Sequence, residues 1–205
     1  MGGLGKLMGF DWQYGVAGAP ARDAFSCRGQ NETGFYRQDA QRYSHIGAAC
    51  VVTVWADESH GEVAGFVSYA PSAINADKPK AALQGRMGMD YDTGKRSFPC
   101  WLIGQVARNE REEFKGLGAA LVRFAVMDIA RRAHHGAGGC IVIDVFEPDL
   151  IAFYRDELGF RVLHPALEEW NKLYKSGNNP RMMMYMPMSK ASEWAARAGL
   201  LPGED

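Results

Sequence analysis

The chain of 205 residues has no run of about 18 apolar residues and no charged-then-apolar leader, so neither a membrane span nor a secretory route is expected. The location this implies is cytoplasmic. A surplus of either charge is missing as well. With 23 basic and 24 acidic side chains, a formal charge of −1 and a pI near 6.5, the chain carries no global pull toward nucleic acid, although a local basic face would be hidden in that sum. Cysteine is scarce: Cys27, Cys50, Cys100 and Cys140 stand 23, 50 and 40 residues apart, which matches no zinc-ligand spacing. No metal is expected. Two of the four sit in apolar, strand-like runs, and free buried thiols in a reducing compartment are the reading that follows. There is no internal repeat, and no low-complexity segment beyond the glycine- and alanine-rich start.

What is present suits one globular domain with elaborations, 47% apolar and 23% charged. Residues 1–21 read as an N-terminal arm, loose or forming a first edge strand, ahead of a domain over 22–205. Asn31 is placed as the N-cap of a first, largely exposed helix through Glu32–His45, weakened by Gly34. Ala49–Ala56 and Val63–Ala70 are β-rich runs around the polar D-E-S-H-G, the pattern of a hairpin. Pro71–Pro99, with a short helix near Lys80–Arg86, is expected to be a flap, since connections of that length are usually functional or mobile. Trp101–Ala107 is a near-continuous apolar strand. After it come E-F-K-G-L-G (Glu113–Gly118) and a helix with Leu121, Val122, Ala125, Val126, Ile129 and Ala133 on one side and Arg123, Asp128 and Arg131 on the other. A glycine loop opening a helix presents unpaired N–H groups at the positive end of the helix dipole, which suits a phosphate. Cys140–Phe146 is the next strand, P-D-L-I-A-F-Y-R-D-E-L-G-F the next helix, Arg181–Pro187 a last strand, and a short helix stops at Gly199.

The succession from the V-A strand through K-G-L-G-A-A-L-V and I-V-I-D-V to A-F-Y-R-D-E-L-G-F, with Tyr154 36 residues after Gly118, resembles the acetyl-CoA-binding core of the GNAT superfamily of N-acetyltransferases. The likeness covers Trp101–Phe160 and, more loosely, the hairpin before it. It implies an α/β (α+β) fold with a mixed, mostly antiparallel sheet, flanked by helices and splayed where acetyl-CoA binds. By the same likeness Lys115, Gly116, Leu117, Gly118 and Ala119 would hold the pyrophosphate. Val106, Ala107 and Arg108 would pair with the pantetheine arm, beside Phe153, and Tyr154 would protonate the departing thiolate. Family members usually carry Gln or Arg where this chain has Glu113, and often glycine where it has Phe114. Glu113 is therefore expected to face solvent, leaving Lys115 as the nearest cation. Glu110, Glu112, Asp144 and His164 are all open as general base, and Leu150, Tyr154 and Leu158 are expected on one helix face turned to the sheet.

Within the superfamily the chain is most similar to toxins of toxin–antitoxin pairs that acetylate aminoacyl-tRNA, through F-S-C-R-G, A-G-F-V-S-Y-A and Gln105-Val-Ala, although that branch tends to have arginine at the position of Gln105. Arg123, Arg131, Arg132, His134 and His135 form a basic helix face and end, either an RNA contact or a solvated surface. The function implied is acetyl transfer to a primary amine, with aminoacyl-tRNA, a metabolite amine or a protein amine as acceptor. An antitoxin is an implied partner. A catalytically silent module that binds acetyl-CoA is the alternative. A homodimer through Trp194 or the Met182–Met186 strand is open, as is packing of both on the same chain.

Overall fold

The computed structural model describes residues 5–75, 97–133, 138–164, 166–178 and 180–200. Eight strands form one mixed sheet in the order β1-β2-β3-β4-β5-β6-β8-β7. They are β1 (Gly5–Leu7), β2 (Phe10–Tyr14), β3 (Cys50–Trp55), β4 (Val63–Asn75), β5 (Ser97–Arg108), β6 (Cys140–Val145), β7 (Arg161–His164) and β8 (Met182–Pro187). The helices are α1 (Ala19–Ala24), α2 (Gln30–Gly34), α3 (Ala40–His45), α4 (Leu117–Ala133), α5 (Pro148–Asp156), α6 (Leu167–Lys175) and α7 (Met188–Arg197). Contacts divide the chain into two compact units, Met1–Ala70 with Ile103–Ala125, and Pro71–Leu102 with Val126–Asp205.

In the first unit, β1 to β4 run as an antiparallel meander, with Trp12 opposite Val54 and Cys50 opposite Tyr69. The residues placed at the start as arm or edge strand supply the two outermost strands. The helix expected after an N-cap at Asn31 is preceded instead by Gly29 and begins two residues earlier, at Gln30, and Gly34 does not end it. A π turn over Phe35–Asp39 carries it on into α3. Its polar character hides a buried face: Tyr36 and Ala40 are fully covered and join Phe25, Trp55 and Phe66 in the core. The Tyr36 hydroxyl lies 2.8 Å from Thr53 Oγ1, and Thr53 donates to the Gly15 carbonyl, so these two hydroxyls are satisfied within the core.

In the second unit, β8 pairs antiparallel with both β6 and β7, Val142 facing Tyr185 and Val162 facing Met184. Met182–Met186 therefore lies inside the sheet with a strand on each side, which removes it as a dimer edge. Trp194 is half-buried on α7, where Ala191 and Ala195 make the inward face. Strands β4 and β5 are longer than their sequence runs suggest, reaching Asn75 and starting at Ser97. The expected flap begins and ends as strand; its helix near Lys80–Arg86 lies outside the described residues.

Helix α4 buries the stripe expected of it. Asp128 does not take the solvent side. It is buried, with Arg131 Nη2 at 2.7 Å and Arg132 Nε at 2.6 Å holding its two oxygens. Three charges thus sum to a single positive one, because a buried carboxylate needs partners close by. The basic face is weaker than a count of arginines suggests; His134 and His135 lie outside the described residues.

Candidate functional site

The glycine loop is built from its carbonyls outward. Strand β5 ends at Arg108, and the next residue, Asn109, donates its backbone N–H to the Ala64 carbonyl at 2.7 Å. Its side-chain Oδ1 accepts from the Arg111 N–H, closing a local turn of the kind asparagine favours. Arg108 Nη1 donates to the carbonyls of Asn109 and Arg111. A single 3₁₀ turn over Glu112–Phe114 follows, and the Lys115 N–H donates to the Glu112 carbonyl at 3.0 Å. Phe114 anchors this turn. It is fully buried, meets Phe10 edge-on at 5.4 Å, and carries the Arg111 guanidinium 4.8 Å above its ring. Phe114 is thus a plug that fixes the loop.

Gly116 then turns the chain at φ +87°, a conformation costly for any residue with a Cβ, and α4 starts at Leu117. The Ala120 N–H is bonded back to the Gly116 carbonyl, so the N–H groups of Leu117, Gly118 and Ala119 lie in the turn that has no helical acceptors. No acidic side chain occupies that first turn. A Cβ on Gly118 would meet nothing within 4 Å, so no neighbour in the described chain requires glycine there. Gly65 is different: a Cβ there would stand 2.7 Å from the Ala107 carbonyl oxygen and 3.2 Å from Leu117 Cδ2. It lets β4 lie close against the end of β5 and seats the buried Leu117, which pins the helix start. The place is open, rigid and electropositive in its backbone, and it fits a phosphate group.

The side-chain charges around it follow. Glu113 lies 3.3 Å from Arg111, which also meets Glu62 at 2.8 Å, so the carboxylate that would oppose a phosphate is drawn to a guanidinium. Lys115 and Glu112 are 4.0 Å apart and 79% and 89% exposed, a loose pair that leaves the ammonium available. Val106 and Arg108 are half-buried and Ala107 is buried at the end of β5. Glu62, Asn109 and Arg111, which organise the loop, escape a reading centred on its glycines. An asparagine directly after an apolar strand is the signal that could have found one of them.

In the second unit Tyr154 sits on α5, buried, between Phe153 at 5.3 Å and Phe160 at 5.8 Å, both edge-on. Phe153 itself is half-buried. The Phe160 N–H donates to the Tyr154 carbonyl at 2.9 Å, Gly159 makes the turn at φ +67°, and Lys190 Nζ donates to the Gly159 carbonyl. The F-Y-R-D-E-L-G-F segment is thus a closed clasp that fixes the tyrosine. Its inward face is Ile151, Tyr154 and Leu158; Leu150 points out, 41% exposed, since the buried stripe runs through the neighbouring position.

Among the four groups considered as base, Glu110 and Glu112 are exposed, and the side chain of His164 lies outside the described residues. Of the three described, Asp144 is the one held in the protein. It stands on β6 opposite Met183, about one-quarter exposed, with Arg181 Nη1 3.3 Å from Oδ2. Burial pushes its carboxyl above the usual range, and Arg181 partly opposes this.

No model of a known family matches this sequence, and no curated protein matches it. Solved structures do match. A Tyr-to-Phe variant of KacT superposes with a TM-score of 0.68 at 12% identity, over 89% of this chain and 98% of that one. A Tyr-to-Phe variant of the toxin AtaT, bound to the C-terminus of the antitoxin AtaR and to acetyl-CoA, gives 0.61 at 14% identity, over 89% and 97%. AtaT complexed with acetyl-methionyl-tRNAfMet gives 0.64 at 16% identity, over 88% and 96%. The chain has the GNAT fold. That fold is the one its glycine loop and F-Y segment resemble, and the likeness runs almost the full length of the toxins, well beyond the loop and helix alone. Among the described residues no helix is long and apolar enough to cross a membrane.

Proposed function

We propose that the chain is an acetyl-CoA-dependent N-acetyltransferase whose acceptor is the amino group of an aminoacyl-tRNA. The observation that carries this reading is the shared fold with AtaT, a toxin held in complex with acetyl-methionyl-tRNAfMet, together with a helix start that fits a phosphate. The amides of Gly116 to Ala119 hold the pyrophosphate, with the exposed ammonium of Lys115, whose own N–H is bonded to the Glu112 carbonyl, beside it, and the backbone of Val106, Ala107 and Arg108 pairs with the pantetheine, with Phe153 alongside. Bound there, acetyl-CoA supplies an acetyl group activated as a thioester. Tyr154 is the proton donor to the departing sulfur: a phenol O–H donates, and the clasp around it keeps its ring from moving away. Arg111 acts through the loop, holding Glu113 off the phosphates and Phe114 in place. A protein in the role of an antitoxin is a proposed partner, as AtaR is for AtaT.

A second acceptor class, a small metabolite or peptide amine, is favoured by the charge. Binding to tRNA is dominated by phosphate neutralisation, whereas this chain is close to neutral and two of its α4 arginines are committed to Asp128. Labelled acetyl-CoA offered to bulk charged tRNA, polyamines and peptides separates the two. Label in tRNA that is lost on deacylation supports the first; label only in polyamines or peptides supports the second. Saturable binding of acetyl-CoA without transfer to any amine would leave a silent binding module.

A further inference from the structure

We infer that Asp144 receives the acceptor amine, its carboxylate binding the ammonium form and taking the proton whose loss makes the nitrogen a nucleophile. The inference rests on the acetyltransferase reading and adds the residue that reading lacks. Side chains alternate along β6, so Cys140, Val142 and Asp144 share a face. Cys140 and Val142 belong there to an apolar cluster with Phe98, Cys100, Leu163 and Tyr185, flanked by Met183. Asp144 is the carboxylate at the end of that apolar row.

Its two oxygens are treated unequally. Oδ2 faces Arg181, while Oδ1 is shut off from solvent and has no hydrogen-bond partner among the described residues. A buried carboxylate oxygen without a donor is costly, and a fold that keeps one has a use for it. Among the described residues Asp144 interacts with Arg181, the residue before β8, and acts on the Cys100 thiol of β5, itself pushed up to about 11 by burial and therefore neutral. A primary ammonium brings three donors to a site short of one. The terminal torsion of an aspartate is soft and roughly two-fold, so a small rotation presents the unpaired oxygen to an incoming N–H while Arg181 keeps its hold on the other.

The step balances. The ammonium gives one proton to Asp144, and the free amine forms a C–N bond to the acetyl carbon as the C–S bond breaks. The sulfur takes a proton from Tyr154, the second proton lost by the nitrogen restores the tyrosine through solvent, and Asp144 releases its proton to water.

Asp144→Asn keeps the shape and removes the basicity. Titrated calorimetrically without acetyl-CoA, an aminoacyl-adenosine should bind the wild-type protein at least tenfold tighter than its α-hydroxyacyl counterpart. The Asn variant should lose that preference while binding the hydroxyacyl compound unchanged. In turnover, kcat/KM of the variant should fall about 10²- to 10³-fold with an unaltered Kd for acetyl-CoA. The deficit should narrow as pH rises toward the amine's own pKa, where the free amine is already neutral. Asp144→Glu, which keeps the carboxylate, should restore part of the preference and guards against a folding defect. An Asn variant that transfers acetyl at the wild-type rate, or keeps the amine preference, overturns the inference and leaves the acetyltransferase reading standing. A preference that Asn abolishes, in a protein that acetylates no amine, upholds the amine site and removes that reading.

Discussion

Replacing Gly118 by leucine separates a glycine kept for folding from one kept for a ligand. Gly118 has an ordinary helical conformation in the first turn of α4, and a Cβ there meets nothing within 4 Å. Glycine is poorer than leucine in a helix by up to about 0.8 kcal/mol, so the substitution should hold or raise stability. For a chain of this size that is about 2–3 °C in Tm. The same side chain would fill the space in front of the amides of Leu117 to Ala119. If the pyrophosphate lies there, the variant must lose contacts worth at least about 1.4 kcal/mol, a tenfold weaker Kd, and about 2.8 kcal/mol if two amides are blocked. Calorimetric titration with CoA and a thermal scan on one preparation read both numbers. Undiminished CoA affinity together with a raised Tm would show that the space is not the phosphate site, and the loop would revert to a helix-starting turn.

Tyr154→Phe should keep acetyl-CoA affinity within about twofold while lowering kcat by about 10²-fold, the size of a lost proton donor; unchanged turnover would remove Tyr154 from the mechanism. Burial pushes the thiol of Cys100 up to about 11 and that of Cys140 up to about 12, so at pH 8 neither should react with a thiolate-directed reagent until the chain unfolds. Rapid labelling of either in the native protein, located by peptide mapping, would contradict the buried cluster. Asp144 has its folded carboxyl raised, so between the ordinary carboxylate range and that raised value the folded state keeps a proton the unfolded chain has lost. Its penalty is absent at low pH and grows as pH rises. The Tm of Asp144→Asn relative to wild type should therefore climb between pH 4 and pH 8, and a flat or falling difference would refute the desolvated carboxylate.

The order of elements was legible because period and punctuation agree. The α4 stripe, the turn at Gly116 and the apolar run of β6 each follow from local chemistry that tertiary contacts reinforce. Strand ends were not, since β4 and β5 extend through residues whose propensities are weak and whose pairing comes from distant neighbours. Asp128 was misplaced because helical period assigns a charged residue to water, and the positions of Arg131 and Arg132 help make its burial tolerable. The choice of Leu150 over Ile151 failed for a smaller reason: two adjacent apolar residues lie about 100° apart on a helix, and the sequence does not say which of them faces the sheet. At the site the glycines spoke for themselves, while Asn109, Arg111 and Phe114 act through contacts with Ala64, Glu62 and Phe10 that lie far off in sequence. The special state of Asp144 likewise depends on burial and on Arg181, 37 positions away in sequence.

In a crystal structure of the chain with acetyl-CoA, pyrophosphate oxygens should lie within hydrogen-bond distance of the Leu117, Gly118 and Ala119 amides and the thioester sulfur beside the Tyr154 hydroxyl. Acetyl-CoA bound at any other surface, or no binding at millimolar concentration, would contradict that placement.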